Sequence, residues 1–211
     1  MRMNNLSRMQ LDVLREIGNI GAGNAATSMS ELLNKKINMQ IPSVNIVSFD
    51  EMMNLIGGPD NVIVAIYFRV QGEAPGTVYF ILTVEEAEYL VRQMMPEAKL
   101  EISGGEESSE LAISILQEIG NILTGSYLSA LSDFTNINMK PSVPYLNVDM
   151  AGAILTISLL ELSQVSNHAI IIDTTINDDD PQDGITGHLF LLPDLESFPE
   201  LFAALGVDDH E

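Results

Sequence analysis

Two side chains with complementary chemistry, a glutamate and an asparagine three positions later, occur twice in this sequence. The stretches 14–20 and 116–122 share six of seven residues at an offset of 102 (116 − 14) and contain the pairs Glu16/Asn19 and Glu118/Asn121. A carboxylate binds a partner's lysine or arginine, and a carboxamide orients a water molecule without being ionised. No nucleophile, histidine or metal cluster accompanies them, so a docked partner would have to supply the rest of a site. Hydrolysis of a phosphoryl group suits such a half-site, since it requires mainly an in-line water and charge neutralisation.

The similarity between the two stretches extends along the chain. The same offset relates three further pairs of residues, Asp12 with Ser114, Gly23 with Gly125 and Pro42 with Pro144. Each half therefore reads [Asp/Ser]-x3-Glu-x2-Asn-x22-Pro. We interpret this pattern as an internal duplication, because agreement at this level over fixed positions is very improbable by chance.

Two long helices are predicted to carry the repeated motifs, over residues 7–34 and 106–134. Short β segments follow each helix, at 37–40 and 44–48 and at 137–139 and 145–148. A short helix is predicted at 49–56, whereas its counterpart, 150–160, is rich in β-branched residues and is compatible with helix or strand. Hairpin strands are predicted at 62–70 with 77–82 and at 169–176 with 187–192, and closing helices at 84–95 and 194–205.

The fold class follows from how each half must bury its apolar residues. One half alone would expose a face of a small sheet, and pairing the two halves in one sheet removes that exposure. We therefore predict an α+β fold, a pseudo-twofold duplicated α/β domain with a central antiparallel-rich sheet and two long helices outside. It is expected to be a single domain over 1–211, with repeats at 7–96 and 106–205 joined by 97–105.

Helical periodicity separates two faces on each long helix. At 100° per residue, Asp12, Glu16, Asn19 and Gly23 fall on one strip, opposite an apolar stripe. The second helix has the equivalent strip of Ser114, Glu118, Asn121 and Gly125. The apolar stripes are expected to face the core, and comprise Leu14, Gly18, Gly21, Ala25, Met29 and Leu32 in the first helix, and Ile113, Leu116, Gly120, Leu123, Tyr127, Leu131 and Phe134 in the second. Gly18 and Gly21 are expected to let the first helix lie close to the sheet.

The polar strips have a plain explanation as solvated helix faces, but their composition favours a contact surface. Asparagine in a helix interior is roughly 0.5 kcal/mol less favourable than alanine. A glycine such as Gly23 or Gly125 costs up to about 1 kcal/mol and leaves room for a close approach. Both copies retain these unfavourable residues at the same positions, which predicts that each strip is a docking surface.

Charge and composition exclude several classes of function. Thirty acidic residues against nine basic ones give a formal charge of −21, which repels phosphate backbones and anionic lipid surfaces. The acidic excess fits either solubility or attraction to a basic patch on a partner. There are no cysteines, no secretory apolar segment at the N-terminus, and no apolar run long enough to span a bilayer. A soluble, cytoplasmic protein without membrane insertion is expected.

Other motifs in the sequence give weaker signals. The run 21–26 fits a GxGxxA dinucleotide fingerprint, but that fingerprint needs a preceding strand, and here the preceding residues are predicted to be helical. The acidic cluster 178–183 lacks the spacing of a calcium loop and is interpreted as a solvated hairpin turn. His168, His188 and His210 are interpreted as isolated, with no metal or catalytic role.

The doubled motif, together with the run 16–26 (EIGNIGAGNAA), resembles the CheC family of chemotaxis phosphatases over essentially the whole chain. The resemblance implies that each motif helix docks on the phosphorylated response regulator CheY. Glu16 and Glu118 would pair with the regulator's active-site lysine, and Asn19 and Asn121 would orient the attacking water. The phosphorylated aspartate and Mg²⁺ would belong to CheY, so that no cofactor of the chain's own is implied.

The resemblance is closest to CheC proper. Flagellar-switch phosphatases of the family carry an extra C-terminal module, and dimeric single-site relatives lack the duplication. The family also binds the receptor deamidase CheD. The first motif position differs between the copies, Asp12 against Ser114, so equal activity of the two surfaces is not implied. The competing interpretation is a non-catalytic adaptor that binds phosphorylated CheY, CheD or both.

Overall fold

The fold is described from a computed structural model covering residues 7–94, 106–156, 168–177, 184–194 and 196–205. The helices are α1 (Arg8–Leu33), α2 (Phe49–Leu55), α3 (Val84–Met94), α4 (Glu106–Thr135), α5 (151–156, the described part) and α6 (Ser197–Ala204). The strands are β1 (Asn38–Gln40), β2 (Val44–Ser48), β3 (Val62–Gly72), β4 (Gly76–Thr83), β5 (Met139–Pro141), β6 (Tyr145–Met150), β7 (His168–Asn177) and β8 (Ile185–Pro193). These elements confirm the predicted order within a few residues at each end. The predicted joining segment, 97–105, lies outside the described residues.

The strands of both halves form one sheet. Its order is β1-β7-β8-β4-β3-β5, with β2 also paired to β7 and β6 also paired to β3. Every described pairing is antiparallel. The short strands β1 and β2 of the first half lie on β7 of the second, and β5 and β6 of the second half lie on β3 of the first. Each half therefore completes the edge of the other, and the predicted α+β class with an antiparallel sheet is confirmed.

The sheet buries both of its faces, because successive side chains along a strand point to opposite sides. One face packs beneath α1, α3, α4 and α6, in a core that includes Ile66, Phe68 and Ile170. The other face forms a smaller core with α2 and α5, around Met52 and Phe190. The long motif helices consequently cover one side of the sheet and leave their opposite faces to solvent.

Local sequence fixes the ends of α1. Ser7 accepts a hydrogen bond from the backbone N–H of Gln10, and the side chain of Gln10 accepts one from the backbone N–H of Ser7, which completes a capping box. The helix ends at Asn34, whose φ of 47° is left-handed. Asn136 adopts the same conformation after α4, with φ of 56°. The duplication therefore extends to the C-terminal caps.

Helix α1 packs directly against α4. A Cβ atom added at Gly21 would lie 2.5 Å from Cδ1 and 3.0 Å from Cα of Tyr127 on α4. At Gly18 it would lie 3.3 Å from Cγ1 of Ile41, in the loop between β1 and β2. The prediction that both glycines bring α1 close to the sheet is wrong, because one glycine contacts the neighbouring helix and the other contacts a loop.

The last turn of each long helix departs from the predicted core stripe. Leu32 is 43% exposed and Phe134 is 51% exposed, although both were expected to face inward. The next residue in each helix packs inward instead, Leu33 against the main core and Thr135 as a buried side chain. The chain turns back there towards a short strand, and this reversal shifts the buried side of the final turn by one residue.

The ambiguous segment 150–160 divides between two structures. Met150 is the last residue of β6, and residues 151–156 are helical. Ala151 and Leu155 are buried in the smaller core. Residues 157–160 lie outside the described part of the chain. In the described ranges, no helix combines the length and apolar character needed to cross a membrane.

Candidate functional site

The strip on α1 is exposed along its whole length. Asp12, Glu16, Asn19 and Gly23 all face solvent, and at 1.5 Å per residue the strip is about 16 Å long. Asp12 forms an ion pair with Arg15, with 3.2 Å between the guanidinium nitrogen Nη2 and the carboxylate oxygen Oδ1. The Gly23 position is open, since a Cβ placed there would have no heavy atom within 4 Å. The strip is thus a polar surface on which Gly23 leaves a space that no side chain fills.

The strip on α4 has the same general form. Ser114, Glu118 and Asn121 are exposed, and Gly125 is half-buried with no heavy atom within 4 Å of an added Cβ. The hydroxyl of Ser114 donates to the backbone carbonyl of Glu110 at 3.0 Å. It is therefore turned into its own helix, whereas the carboxylate of Asp12 extends over the surface. The first motif position accordingly offers different chemistry on the two strips.

The two asparagines differ in how they are held. The Oδ1 atom of Asn19 accepts a hydrogen bond from the backbone N–H of Ile41 at 3.1 Å. This bond fixes the plane of the carboxamide and leaves its amino group free to donate. Within the described residues, Asn121 makes no such bond. The loop beside it is held instead by Gln117, whose Nε2 donates to the carbonyl of Pro144 at 3.3 Å.

These loop contacts explain the long spacing in the motif. Pro42 follows Asn19, and Pro144 follows Asn121, after the same number of residues, 22. Each proline belongs to a loop that lies beside the helix carrying that asparagine. The 22-residue spacing was apparent in the sequence, but Ile41 and Gln117 were not identified there as part of the surface. The spacing itself was the available signal, because a proline at a fixed separation indicates a loop of fixed geometry.

The chemistry available on each strip is limited to binding and orientation. No group of three or more histidine, aspartate, glutamate or cysteine side chains that could hold a metal ion occurs in the ranges that the structure describes. An exposed carboxylate and an exposed carboxamide lie one helical turn apart on each strip, with a glycine gap beyond them. That arrangement can bind a cation and position a water or a polar group, and it contains no nucleophile of its own.

One polar cluster was not predicted from the sequence. His188 lies with Nδ1 2.9 Å from Oδ1 of Asp173, and the hydroxyl of Ser43 donates to Oδ2 of the same carboxylate at 2.5 Å. The hydrogen bond with His188 lowers the pKa of Asp173, helped by the bond from Ser43 and opposed by partial burial. The interpretation of His188 as isolated is therefore wrong. Because the serine bonds the carboxylate and not the imidazole, the trio lacks the geometry of an activated nucleophile.

The remaining sequence motifs lie partly inside and partly outside the described residues. Residues 21–26 lie in the middle of α1, so the glycines do not open a helix after a strand and the dinucleotide fingerprint does not apply. His168 is the first residue of β7. The acidic cluster 178–183 and His210 lie outside the described residues.

Known proteins resemble this chain at both levels, sequence and structure. Residues 9–46 and 111–148 match the CheC-like family, one match for each repeat. The chain is 44% identical to the CheY-P phosphatase CheC of Bacillus subtilis over 205 residues, which cover 96% of this chain and 97% of that protein. It is 30% identical to the flagellar motor switch phosphatase FliY of the same organism, over 67% of this chain and 36% of FliY.

A solved structure shows the same fold. The crystal structure of Thermotoga maritima FliY superimposes with a TM-score of 0.71 at 16% identity, covering 96% of this chain and 98% of that one. The two matches to the CheC-like family, at 9–46 and 111–148, each include the motif residues of one helix, in agreement with the internal repeat. At 44% identity over nearly the full length of both proteins, the relationship to the Bacillus subtilis protein shows the family. This chain therefore belongs to the CheC-like family.

Proposed function

We propose that this chain is a phosphatase that accelerates hydrolysis of the aspartyl phosphate on the response regulator CheY. The observation that carries the proposal is the repeated pair of exposed side chains, Glu16 with Asn19 and Glu118 with Asn121, in a chain 44% identical to a CheY-P phosphatase. Each pair offers a cation-binding carboxylate and a water-orienting carboxamide, and lacks the nucleophile and metal that the reaction also needs.

The division of labour follows from these side-chain chemistries. Glu16 and Glu118 would bind the regulator's active-site lysine, and so fix the docked orientation. Asn19 and Asn121 would hold a water in line with the phosphorus. The water oxygen then bonds to phosphorus as the bond to the aspartate oxygen breaks, which releases inorganic phosphate and regenerates the aspartate. The Mg²⁺ that neutralises the phosphoryl oxygens would be the regulator's.

The remaining strip residues would shape the docking surface. Gly23 and Gly125 leave space for the partner's backbone, because a side chain at either position would project from the helix into that space. Asp12 and Ser114 would contact the edge of the docked receiver domain of CheY. The charge of −21 favours approach of a surface that presents a lysine.

The proposal also includes the domain organisation, a second partner and the cellular location. The two repeats, about 7–96 and 106–205, would form one domain over 1–211, an arrangement supported by strands of each half completing the other's sheet edge. The receptor deamidase CheD is a second expected partner, on family resemblance alone. The protein is expected to act in the cytoplasm, without nucleic acid or membrane insertion.

The decisive experiment compares asparagine variants on and off the strips. In the double variant Asn19→Ala/Asn121→Ala, the acceleration of CheY dephosphorylation should fall by about 10²–10³-fold, as when one orienting donor is removed from an active site. Binding of CheY that carries beryllofluoride and Mg²⁺ as a phosphoryl stand-in should largely survive. Asn24→Ala is the matched control, since Asn24 is exposed on α1 but lies about 100° around the helix from the strip.

Two results would count against catalysis by these residues. Full activity in the double variant would remove Asn19 and Asn121 from the mechanism. Tight binding of phosphorylated CheY by the wild-type protein, with no change in the lifetime of the phosphoryl group, would establish the adaptor function in place of the phosphatase.

A further inference from the structure

The loops that follow the two motif helices have diverged, although they occupy equivalent positions. In the first half, Ile41 is only 3% exposed. Its side chain fills the space over Gly18, and its N–H binds Asn19. These two contacts hold the loop between β1 and β2 against α1, and the side chain of Ile41 belongs to the core.

In the second half the equivalent residue is Val143, at the same offset of 102 (143 − 41), and its side chain is 85% exposed. It is the most exposed of the large apolar side chains in the part of the chain that the structure describes. The space over Gly120, the equivalent of Gly18, is occupied by Ile66 and not by Val143. Among the described residues, no hydrogen bond joins the backbone N–H of Val143 to Asn121. An apolar residue in this position is unfavourably solvated in the isolated protein.

The packing of the two helices on the sheet explains why the loops differ. A Cβ added at Gly120 would lie 2.9 Å from Cγ2 of Ile66, so α4 lies directly on β3. A cavity of about 30 Å³ lies between α1, α4 and the sheet, where Gly18, Thr124 and Ile172 are among the lining residues. The space over Gly120 is thus taken by Ile66 of the sheet, whereas the equivalent space over Gly18 is filled by Ile41 of the loop, so that no such site is open to Val143.

The loop that carries Val143 borders the second strip. The carbonyl of Pro144 is bonded to Gln117, which is adjacent to Glu118 in sequence and one turn before Asn121. Pro141 and Pro144 flank the position and restrict the backbone, so that little conformational freedom is lost when a partner covers the loop. An exposed, preorganised valine beside a polar pair is the arrangement of an apolar anchor at the edge of a docking surface.

We propose that Val143 is a specificity-determining docking residue of the second surface, covered by the CheY receiver when it binds Glu118 and Asn121. The loop beside the first surface has no counterpart, because Ile41 is buried. The inference rests on the proposed function for the identity of the partner. It adds that the two surfaces recognise the receiver by different contacts, because the second offers an apolar loop residue, whereas the exposed apolar side chain nearest the first polar pair, Ile20, lies on α1 itself.

The test uses full-length proteins in which one surface is disabled. Glu16→Lys/Asn19→Ala leaves only the second surface, and Glu118→Lys/Asn121→Ala leaves only the first, since a lysine opposes the regulator's lysine. Val143→Ser is added to each protein. The Kd for CheY carrying beryllofluoride and Mg²⁺ is measured with the KM and kcat of dephosphorylation. Leu55→Ser is the control, because Leu55 is 50% exposed on α2, at the opposite face of the sheet.

In the protein with only the second surface, Val143→Ser should raise both Kd and KM about tenfold, as expected for one apolar side chain left uncovered, with kcat changed less than about twofold. Val143→Ile should restore both constants. In the protein with only the first surface, Val143→Ser should change neither. The midpoint of thermal unfolding should be unaffected throughout, because the side chain contributes little to the core.

An unchanged Kd in the second-surface protein, or an equal loss in both proteins, would overturn the inference while leaving the phosphatase proposal intact. If the wild-type protein binds CheY but does not accelerate dephosphorylation, the phosphatase proposal fails and the Kd comparison still decides the role of Val143. If the wild-type protein does not bind CheY, both proposals fail.

Discussion

The carboxamide oxygen of Asn19 accepts a hydrogen bond from the backbone N–H of Ile41 at 3.1 Å, a contact that joins the motif helix to the loop 22 residues further along. The equivalent contact between Asn121 and Val143 is absent from the described structure. The same residue type at the same motif position is therefore part of the fold in one half and available only to a partner in the other. This difference leads to the first prediction.

Replacement of the two asparagines by alanine should have opposite effects on stability. Asn121→Ala should raise the free energy of unfolding by about 0.5 kcal/mol, because alanine is the better helix former. Asn19→Ala gains the same amount but loses a hydrogen bond worth about 1 kcal/mol and leaves the Ile41 N–H without its partner. It should therefore lower stability overall. Urea titration of both variants measures the difference, and equal shifts would show that the Ile41 contact has no energetic weight.

Glycine substitutions should separate stability from docking. Gly23→Ala and Gly125→Ala should each stabilise the fold by up to about 1 kcal/mol, because the added methyl meets nothing and alanine favours the helix. Both should slow CheY dephosphorylation, since the methyl projects into the docking surface. Gly21→Ala is the contrasting variant, and its methyl would collide with Tyr127 and destabilise the packing of α1 on α4 by about 1–3 kcal/mol.

Urea titration and the dephosphorylation assay together test this prediction. A Gly23→Ala/Gly125→Ala protein that is stabilised and fully active would show that the partner does not approach these positions closely.

Neutralising the two motif glutamates should weaken docking more than turnover. In Glu16→Gln/Glu118→Gln, we expect KM for phosphorylated CheY to rise about tenfold, the effect of losing a charge pair that is partly desolvated in the complex. The dependence of KM on ionic strength should also become shallower, because exposed charges are screened by salt. Glu31→Gln is the control, as an exposed glutamate near the end of α1. A large fall in kcat with KM unchanged would assign the glutamates to the chemical step.

The Asp173 cluster predicts a pH-dependent stability that is independent of the docking surfaces. Hydrogen bonding to His188 and Ser43 keeps the folded-state pKa of Asp173 below its ordinary value. A depressed carboxyl pKa contributes stability above the unfolded value, about 4, and the contribution is lost as the pH falls through the folded value. The free energy of unfolding of wild type should therefore exceed that of Asp173→Asn by about 1 kcal/mol at pH 7, and the gap should close as the pH falls through the lowered pKa of Asp173.

Urea titrations at a series of pH values, from about pH 8 down through the ordinary carboxyl pKa of about 4 and further into the acid range, would measure this gap. Asp133→Asn, at an exposed position on α4, gives the general effect of removing one negative charge. A constant difference between wild type and Asp173→Asn at all pH values would mean that the cluster stabilises by packing alone.

Much of the fold and of the site was accessible from local sequence. The duplicated motif predicted two long helices, and the 3.6-residue period separated the exposed strips from the core stripes, because side-chain direction in a helix depends only on position along it. The hairpins β3–β4 and β7–β8 were likewise predicted from short apolar runs separated by turn residues. The identity of the polar pairs, Glu16/Asn19 and Glu118/Asn121, already limited the chemistry to binding and orientation.

The tertiary structure decided what depends on long-range contacts. That β1 and β2 lie on β7, and β5 and β6 on β3, follows from the pairing of distant strands, for which no local pattern specifies the partner. The contact of Gly21 with Tyr127 and the pairing of His188 with Asp173 join residues far apart in the chain. Above all, the sequence presents Ile41 and Val143 as equivalent apolar residues. Their opposite burial follows from what fills the space over the two equivalent glycines, Ile41 over Gly18 and Ile66 of β3 over Gly120, and no local pattern specifies such long-range contacts.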